Sequence, residues 1–351
     1  MRHNVAAFCN CGFCRAVVIA CKKKSTIFTQ NVKPMKTRIL LFILIIMQTA
    51  AQASVVTLSN DAVEVGIAPE VGGRVVFIRK PGGVNMLLSD KAIYEDPAFV
   101  APEVGDKPDF YPFNGITLWL GPQSGWWKDQ TFAPELDGKS PGWPPDPFGE
   151  HGRFEILTQR NDYIEMRGPK SPVSGLQFVK TVQIMPCGTI KLEFTATNHR
   201  KTPVEWDLWV NIRTTPHAKA SVKVKSMDGV RFSEGKDKSR DRLSTEFKDG
   251  VFSILPDMPS KGKAVRGGKV FIENPETPEI VAEYKGTKMT IQFDRFALEA
   301  MHPEQTPIEL YSHLSAVPDP ALELLELEFH GPYGVFNPGE SKSIACTIKL
   351  D

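Results

Sequence analysis

The chain has 351 residues, 42 basic and 41 acidic, with a formal charge of +1 and a hydrophobic share of 41%. That is enough apolar material for a large core. The balanced charge excludes the concentrated basic footprint of a nucleic-acid binder.

Residues 1–34 hold Cys9, Cys11, Cys14 and Cys21 and the run Lys22-Lys23-Lys24, with no second pair of ligands at zinc-site spacing. The segment reads as an over-extended start ahead of Met35. Residues 35–53 have the layout of a signal peptide: Lys36 and Arg38, the apolar run Ile39–Met47, then Ala51-Gln52-Ala53 before Ser54. The run is far shorter than the ~20 residues of a membrane helix. Cleavage after Ala53 is expected, with export to the periplasm or the exterior and no membrane span left. The eight basic residues of 1–53 go with it, leaving an acidic excess of seven. Cys187 and Cys346 then remain; export permits a disulfide between them, and two buried free thiols are the alternative.

From Ser54 onward period-2 runs recur: "AVEVGIA", "GRVVFIRK", "LQFVKTVQIM", "TIKLEFTATN", "VEWDLWVNIRT", "KMTIQF", "IELYSHL" and "LELLELEFH". Gly, Pro, Asn and Asp clusters separate them, the pattern of strands joined by turns. The spacing predicts fifteen or more strands in one all-β domain, two large stacked, mostly antiparallel sheets. A short helix is expected at Asp294–His302, and a charged surface excursion at Ser233–Gly250. Pro97–Gly152 breaks the rhythm. It is long, irregular and rich in Pro and Gly, and it holds Trp119, Trp126, Trp127 and Trp143. Long irregular segments in compact domains are commonly functional. Its indoles either plug the ends of the sandwich or line a site, where they would stack on sugar rings.

Three strands carry an unusual second face. Opposite Trp206, Leu208, Val210 and Ile212 stand Asp207, Trp209, Asn211 and Arg213. Opposite Ile308 and Leu310 stand Glu309 and Tyr311, and opposite Leu325, Leu327 and Phe329 stand Glu326, Glu328 and His330. Ordinary wet faces are built from Lys, Glu, Thr and Ser. This inventory of bidentate donors, acceptors and flat rings suits a polyhydroxylated ligand. Glu326 and Glu328 lie about 7 Å apart at ~3.3 Å per residue, so burial would raise at least one pKa unless a cation compensates. Arg74 and Arg213 are the expected partners. Arg213, read as a surface group, is expected to serve binding more than stability. No P-loop or H-x-x-x-H pair occurs, and neither metal nor cofactor is expected.

"LSNDAVEVGIAPEVGGRVVFIRKPGGVNMLL" resembles the opening strands of galactose-mutarotase-like (aldose 1-epimerase-like) proteins. "LELEFHGPYGVFNPGESKSIACTIKL" resembles their last hairpin, and "LWLGPQSGWW…GWPPDP" resembles a mostly secreted branch. The likeness covers 54–351 and implies one β-supersandwich domain with a mono- or oligosaccharide bound on a concave sheet face. Arg74, Trp119, Gln123, Trp143, Trp209, Asn211, Arg213, Glu309 and Tyr311 are the expected ligand-binding residues. The resemblance also implies a Glu base on the late strand, at Glu326 with Glu328 as the alternative. The family's acid histidine falls at Trp209, and His217 is the nearest candidate to replace it. The expectation is a carbohydrate-recognising protein, an epimerase or lyase relative. The alternatives are a non-catalytic binding or structural module and an aldose mutarotase with a relocated acid.

Overall fold

Two antiparallel sheets of ten strands hold nearly all the regular structure of the computed structural model, which describes residues 55–107, 109–138, 144–233, 243–256, 265–315 and 323–351. Residues 1–34, the expected leader at 35–53 and Trp143 lie outside the described residues. The first sheet runs β1 (Val56–Ser59), β2 (Glu64–Ala68), β3 (Arg74–Arg79), β4 (Ile116–Gly121), β9 (Val204–Thr214), β18 (Leu324–His330), β17 (Ile308–Ser315), β14 (Val265–Ile272), β11 (Val230–Phe232), and β19 (Gly334–Phe336) also pairs with β9. The second runs β12 (Thr245–Lys248), β13 (Val251–Ile254), β10 (Lys219–Lys223), β15 (Glu279–Tyr284), β16 (Thr287–Phe293), β20 (Ser341–Leu350), β8 (Ile190–Asn198), β7 (Leu176–Ile184), β6 (Tyr163–Lys170), β5 (Glu155–Arg160). This is the all-β, two-sheet architecture expected from the alternation.

One large core joins the sheets. Ile212, Leu327 and Phe329 of the first share it with Phe194, Ile344 and Ile348 of the second. Phe293 and Phe329 stack across it with centroids 4.3 Å apart. Strands of the second sheet behave as half-buried strands should: β7 alternates buried and half-buried positions along its whole length. The middle of the first sheet does not. β9 is buried continuously from Trp206 to Thr214, and β18 from Leu325 to His330. Both faces of these strands are therefore covered, although one of them is polar.

The turn before β3 explains part of the cover. Gly72 and Gly73 have φ of +71° and +58°, where a side chain is strained. A Cβ on Gly72 would also meet the Glu150 carbonyl at 2.2 Å. Of the two one-turn helices among the described residues, α1 (Ala92–Glu95) and α2 (Pro147–Glu150), the second ends at Glu150; Pro147 opens it and Asp146 caps it by accepting from Phe148 N at 3.0 Å. The Gly-Gly-Arg turn thus packs directly on a segment that folds back over the first sheet.

Three expectations change. Asp294–His302 forms only a 3-10 turn at Leu298–Ala300, because Met301 is already extended and Pro303 follows. The charged stretch Ser233–Gly250 is not all excursion, since Thr245–Lys248 pairs with β13 as an edge strand. Cys187 and Cys346 are both free, the first exposed and the second buried. No helix among the described residues is long and apolar enough to cross a membrane.

Candidate functional site

Strand register assembles the polar face in rows. Trp119, Trp209 and His330 lie directly opposite one another across β4, β9 and β18. One step along, Thr117, Asn211, Glu328 and Glu309 form the next row. The third row is Arg213, Glu326, Tyr311 and Lys269. Alternation puts all of these opposite the apolar core face, so residues scattered over two hundred positions converge by pairing alone.

Each charge on this face has a partner. Arg213 Nε donates to Glu326 Oε1 at 2.8 Å, and its guanidinium carbon lies 4.9 Å from the Trp119 ring centroid. Lys269 Nζ donates to Glu309 Oε2 at 2.8 Å and to Glu328 Oε2, and stands 5.0 Å over the Trp209 ring. Asn211 Nδ2 donates to the other Glu328 oxygen at 2.9 Å. His330 Nδ1 is 3.3 Å from Asp207 Oδ1, and its Nε2 is 3.6 Å from Glu309 Oε1. Arg74 pairs with Glu150, which also accepts from Thr117 Oγ1 at 3.1 Å and from Trp119 Nε1.

Burial decides the protonation of these groups. Burial raises Glu328, the Glu326 and Glu309 charges add to it, and Lys269 only partly compensates, so its pKa reaches about 7. Burial would also raise Glu309, but Lys269 and His330 outweigh it and hold the group at about 2. Glu150 follows the same logic, with Arg74 and Arg213 overcoming burial to give about 2. Burial would lower His330, yet Glu309 and Asp207 raise it to about 9. Near neutrality, then, His330 carries a charge and Glu328 is only partly ionised. The pairing of two nearby carboxylates that alternation suggested does raise one of them.

Aromatic rings close the face. Trp119 meets Trp126 edge-on at 5.6 Å and Trp209 edge-on at 5.1 Å, while Trp209 lies against His330 at 5.1 Å. Trp126 Nε1 donates to Leu120 O at 2.6 Å and Trp127 Nε1 to Pro144 O at 2.5 Å. Within the Trp-rich segment, Trp126 and Trp127 plug the core, while Trp119 stands on the polar face against Trp209.

Glu326, Glu328, Trp119, Trp209, Asn211, Arg213, Glu309 and Tyr311 do come together. Arg74 shares the face but is paired with Glu150 instead of either late-strand Glu. Gln123 starts the 3-10 turn Gln123–Gly125, where its carbonyl accepts from Trp126 N at 3.0 Å. It supports the plug and stands apart from the network. His217 is exposed on the turn after β9, its backbone N–H donating to Thr215 Oγ1 at 3.3 Å. No hydrogen bond or ion pair among the described residues ties His217 to the network. Arg213 is 3% exposed, which overturns its reading as a surface group. Sequence reasoning missed Glu150 and Lys269 as members of the network, and it placed Asp207 and His330 on the face without assigning them a part in it. Asp207 and Lys269 sit at correct alternation positions, and only the Trp-rich interruption hid Glu150. Among the described residues no three His, Cys, Asp or Glu side chains are grouped to hold a metal ion.

Comparison with solved structures places the fold. The chain superposes on the Slr1438 protein of Synechocystis with a TM-score of 0.53 and 13% identity, over 86% of this chain and 97% of that one. A galactose mutarotase-like protein of Lactobacillus casei gives 0.51 and 13%, over 85% and 100%. The GalM/aldose epimerase homologue of C. elegans gives 0.51 and 11%, over 85% and 99%. At such identities the likeness shows the fold. No curated protein matches this sequence. Residues 53–347 match the family described as a domain of unknown function, DUF4380. The chain therefore belongs to the DUF4380 family and has the galactose mutarotase-like fold.

Proposed function

We propose that this protein is an exported carbohydrate-recognising protein whose ligand meets the first sheet's polar face at its Glu326 end. The observation that supports this reading is the gradient of exposure along β18. Glu328 and His330 are sealed, while Glu326 is 8% exposed and stands beside half-buried Tyr311, Lys269 and His313. A hydroxyl of a sugar ring would there meet a carboxylate, a phenol and an ammonium beside the Trp119 ring. In an epimerase-type reaction Glu326 is the general base.

The acid is the weaker half of the enzymatic reading. Trp209 stands where the resemblance puts the histidine, and an indole N–H does not transfer a proton at neutral pH. His330 lies directly across the strand from it, but it is sealed and four residues along β18 from Glu326, so it does not supply the missing acid at the Glu326 end. The full engagement of the charges with one another supports the second reading, a binding module without catalysis.

Saccharide thermal-shift screening followed by calorimetry tests recognition. Polarimetry of mutarotation and NMR of epimer exchange test chemistry. Glu326→Gln is expected to abolish any such activity while keeping measurable affinity, with a smaller effect from Glu328→Gln. Wild-type behaviour of Glu326→Gln in every assay would remove this strand from the function. N-terminal sequencing of the secreted chain is expected to begin at Ser54; a start upstream of Met35 would remove the export reading.

A further inference from the structure

At the Glu326 end one residue reaches both arginines of the face. Asn114 stands just before β4, 5% exposed, with φ of +56°, a left-handed backbone that Asn and Asp tolerate better than other side chains. Its carbonyl accepts from Arg74 Nη1, and its Oδ1 accepts from Arg213 Nη1 at 3.4 Å. Its Nδ2 donates to Pro112 O at 2.9 Å, so both ends of the amide face a matching partner and its orientation is fixed. Gly115 follows with φ of +77°, and a Cβ there would lie 2.3 Å from Val75 O. The backbone is thus pressed against β3, which sets where the two Asn114 oxygens point.

Two guanidinium charges this close repel. Burial lowers the Arg74 pKa, Glu150 opposes it, and the Arg213 charge lowers it further. Asn114 gives each cation a neutral acceptor, and so ties them in place without cancelling either charge. The rest of the Arg213 guanidinium is equally confined. Nε donates to Glu326, and the guanidinium carbon lies 4.9 Å from the Trp119 centroid and 6.0 Å from that of half-buried Phe110. A guanidinium carries five N–H donors in one rigid plane. Nε and Nη1 are taken, and Nη2 has no hydrogen bond among the described residues. Unlike Arg74 Nε, it is not sealed from solvent.

Resting on the saccharide reading above, we infer that Asn114 is a positioning residue, which aims Arg213 Nη2 at the ligand beside Glu326. Asn114 acts through Arg213: it stops the guanidinium from turning about its Nε–Cζ bond and exchanging its two Nη groups.

The test uses two variants. Asn114→Gly keeps the left-handed backbone and the carbonyl that Arg74 uses, and removes only the amide. Asn114→Asp puts an oxygen acceptor back. Nitrogen-15 NMR of the arginine side chains, without ligand, reads the Nη1–Nη2 exchange of Arg213. It is expected to be slow in wild type, at least about tenfold faster in Asn114→Gly, as for loss of one bond to a charged group, and slow again in Asn114→Asp. Calorimetry with galactose, glucose and cellobiose is expected to show about tenfold weaker binding in Asn114→Gly and recovery in Asn114→Asp. Equal exchange rates in wild type and Asn114→Gly overturn the inference. Faster exchange with unchanged affinity also overturns it and leaves saccharide recognition standing. A loss that Asn114→Asp does not recover makes the amide merely structural and overturns it as well. If wild type binds none of the three sugars, the saccharide reading falls, and the exchange rates alone decide whether Asn114 positions Arg213.

Discussion

The polar face of the first sheet and the outer face of the second read alike as alternation, yet they are physically opposite. On the second sheet Thr195 bonds Ser343 and Thr197 bonds Ser341, each at 2.8 Å, on exposed positions. Its Lys191–Glu193 pair is 46% and 39% exposed. Water can replace any of these contacts, so each is worth little. On the first sheet Lys269 and Glu328 are 19% and 0% exposed, and water cannot take the place of a lost partner. A polar residue opposite an apolar one is compatible with both situations. What separates them is cover, supplied here by the segment carrying Trp126, Trp127 and α2.

The largest effect that sharpens this contrast is expected from Lys269→Met. It strands Glu309 and Glu328 together, and losing one side of a buried ion pair costs on the order of 3–5 kcal/mol. Urea denaturation measures it; a loss under ~1 kcal/mol would mean that this face is as wet as the second sheet's. Arg213→Ala is expected to cost about 3 kcal/mol, since Glu326 keeps slight access to water, and to weaken saccharide binding as well. Unchanged binding with full loss of stability would make Arg213 purely structural.

A pH series gives an intermediate effect. His330 has a folded pKa near 9, above its ordinary 6.5. Its contribution is therefore complete below about pH 6.5 and lost as pH rises to about 9, on the order of 1–3 kcal/mol. Lys180 acts in the opposite sense. Burial and Arg74 lower it from 10.5 to about 7, so between those values rising pH favours the folded state. Comparing wild type with His330→Gln cancels the Lys180 part. The wild-type advantage should shrink across pH 6.5–9, and a constant difference would mean that His330 is uncharged throughout.

Glu328→Gln is expected to gain on wild type, by on the order of 1 kcal/mol, as pH rises from about 4.5 to 7. The folded pKa is raised, so wild type loses stability over that window and the amide does not. Thr195→Ala, the control on the second sheet, should stay within ~0.5 kcal/mol of wild type at all pH values. A larger loss there would erase the contrast between the two faces.

Much of the architecture was legible because strand alternation is a local property. Period-2 runs and Gly/Pro punctuation predict the strands of both sheets, and a strand's two faces follow from its own residues. The face bearing Glu326, Glu328, Trp209, Asn211, Arg213, Glu309 and Tyr311 was readable for the same reason. The Asp294–His302 segment was misread because nine residues are too few for propensity to outweigh Pro303.

The partners were not legible, because pairing depends on register and register is a property of two strands. Glu326 opposes Arg213 and Glu328 opposes Asn211 only after β9 and β18 choose one alignment out of several. Arg74 found Glu150 because the Gly72–Gly73 turn packs on α2, a contact between segments 76 residues apart. By itself the sequence determined which side chains share a face, since that follows from backbone geometry within one strand. Only the tertiary structure decided which of those faces is sealed from water, and desolvation is what turns a row of polar residues into a mutually dependent set of charges.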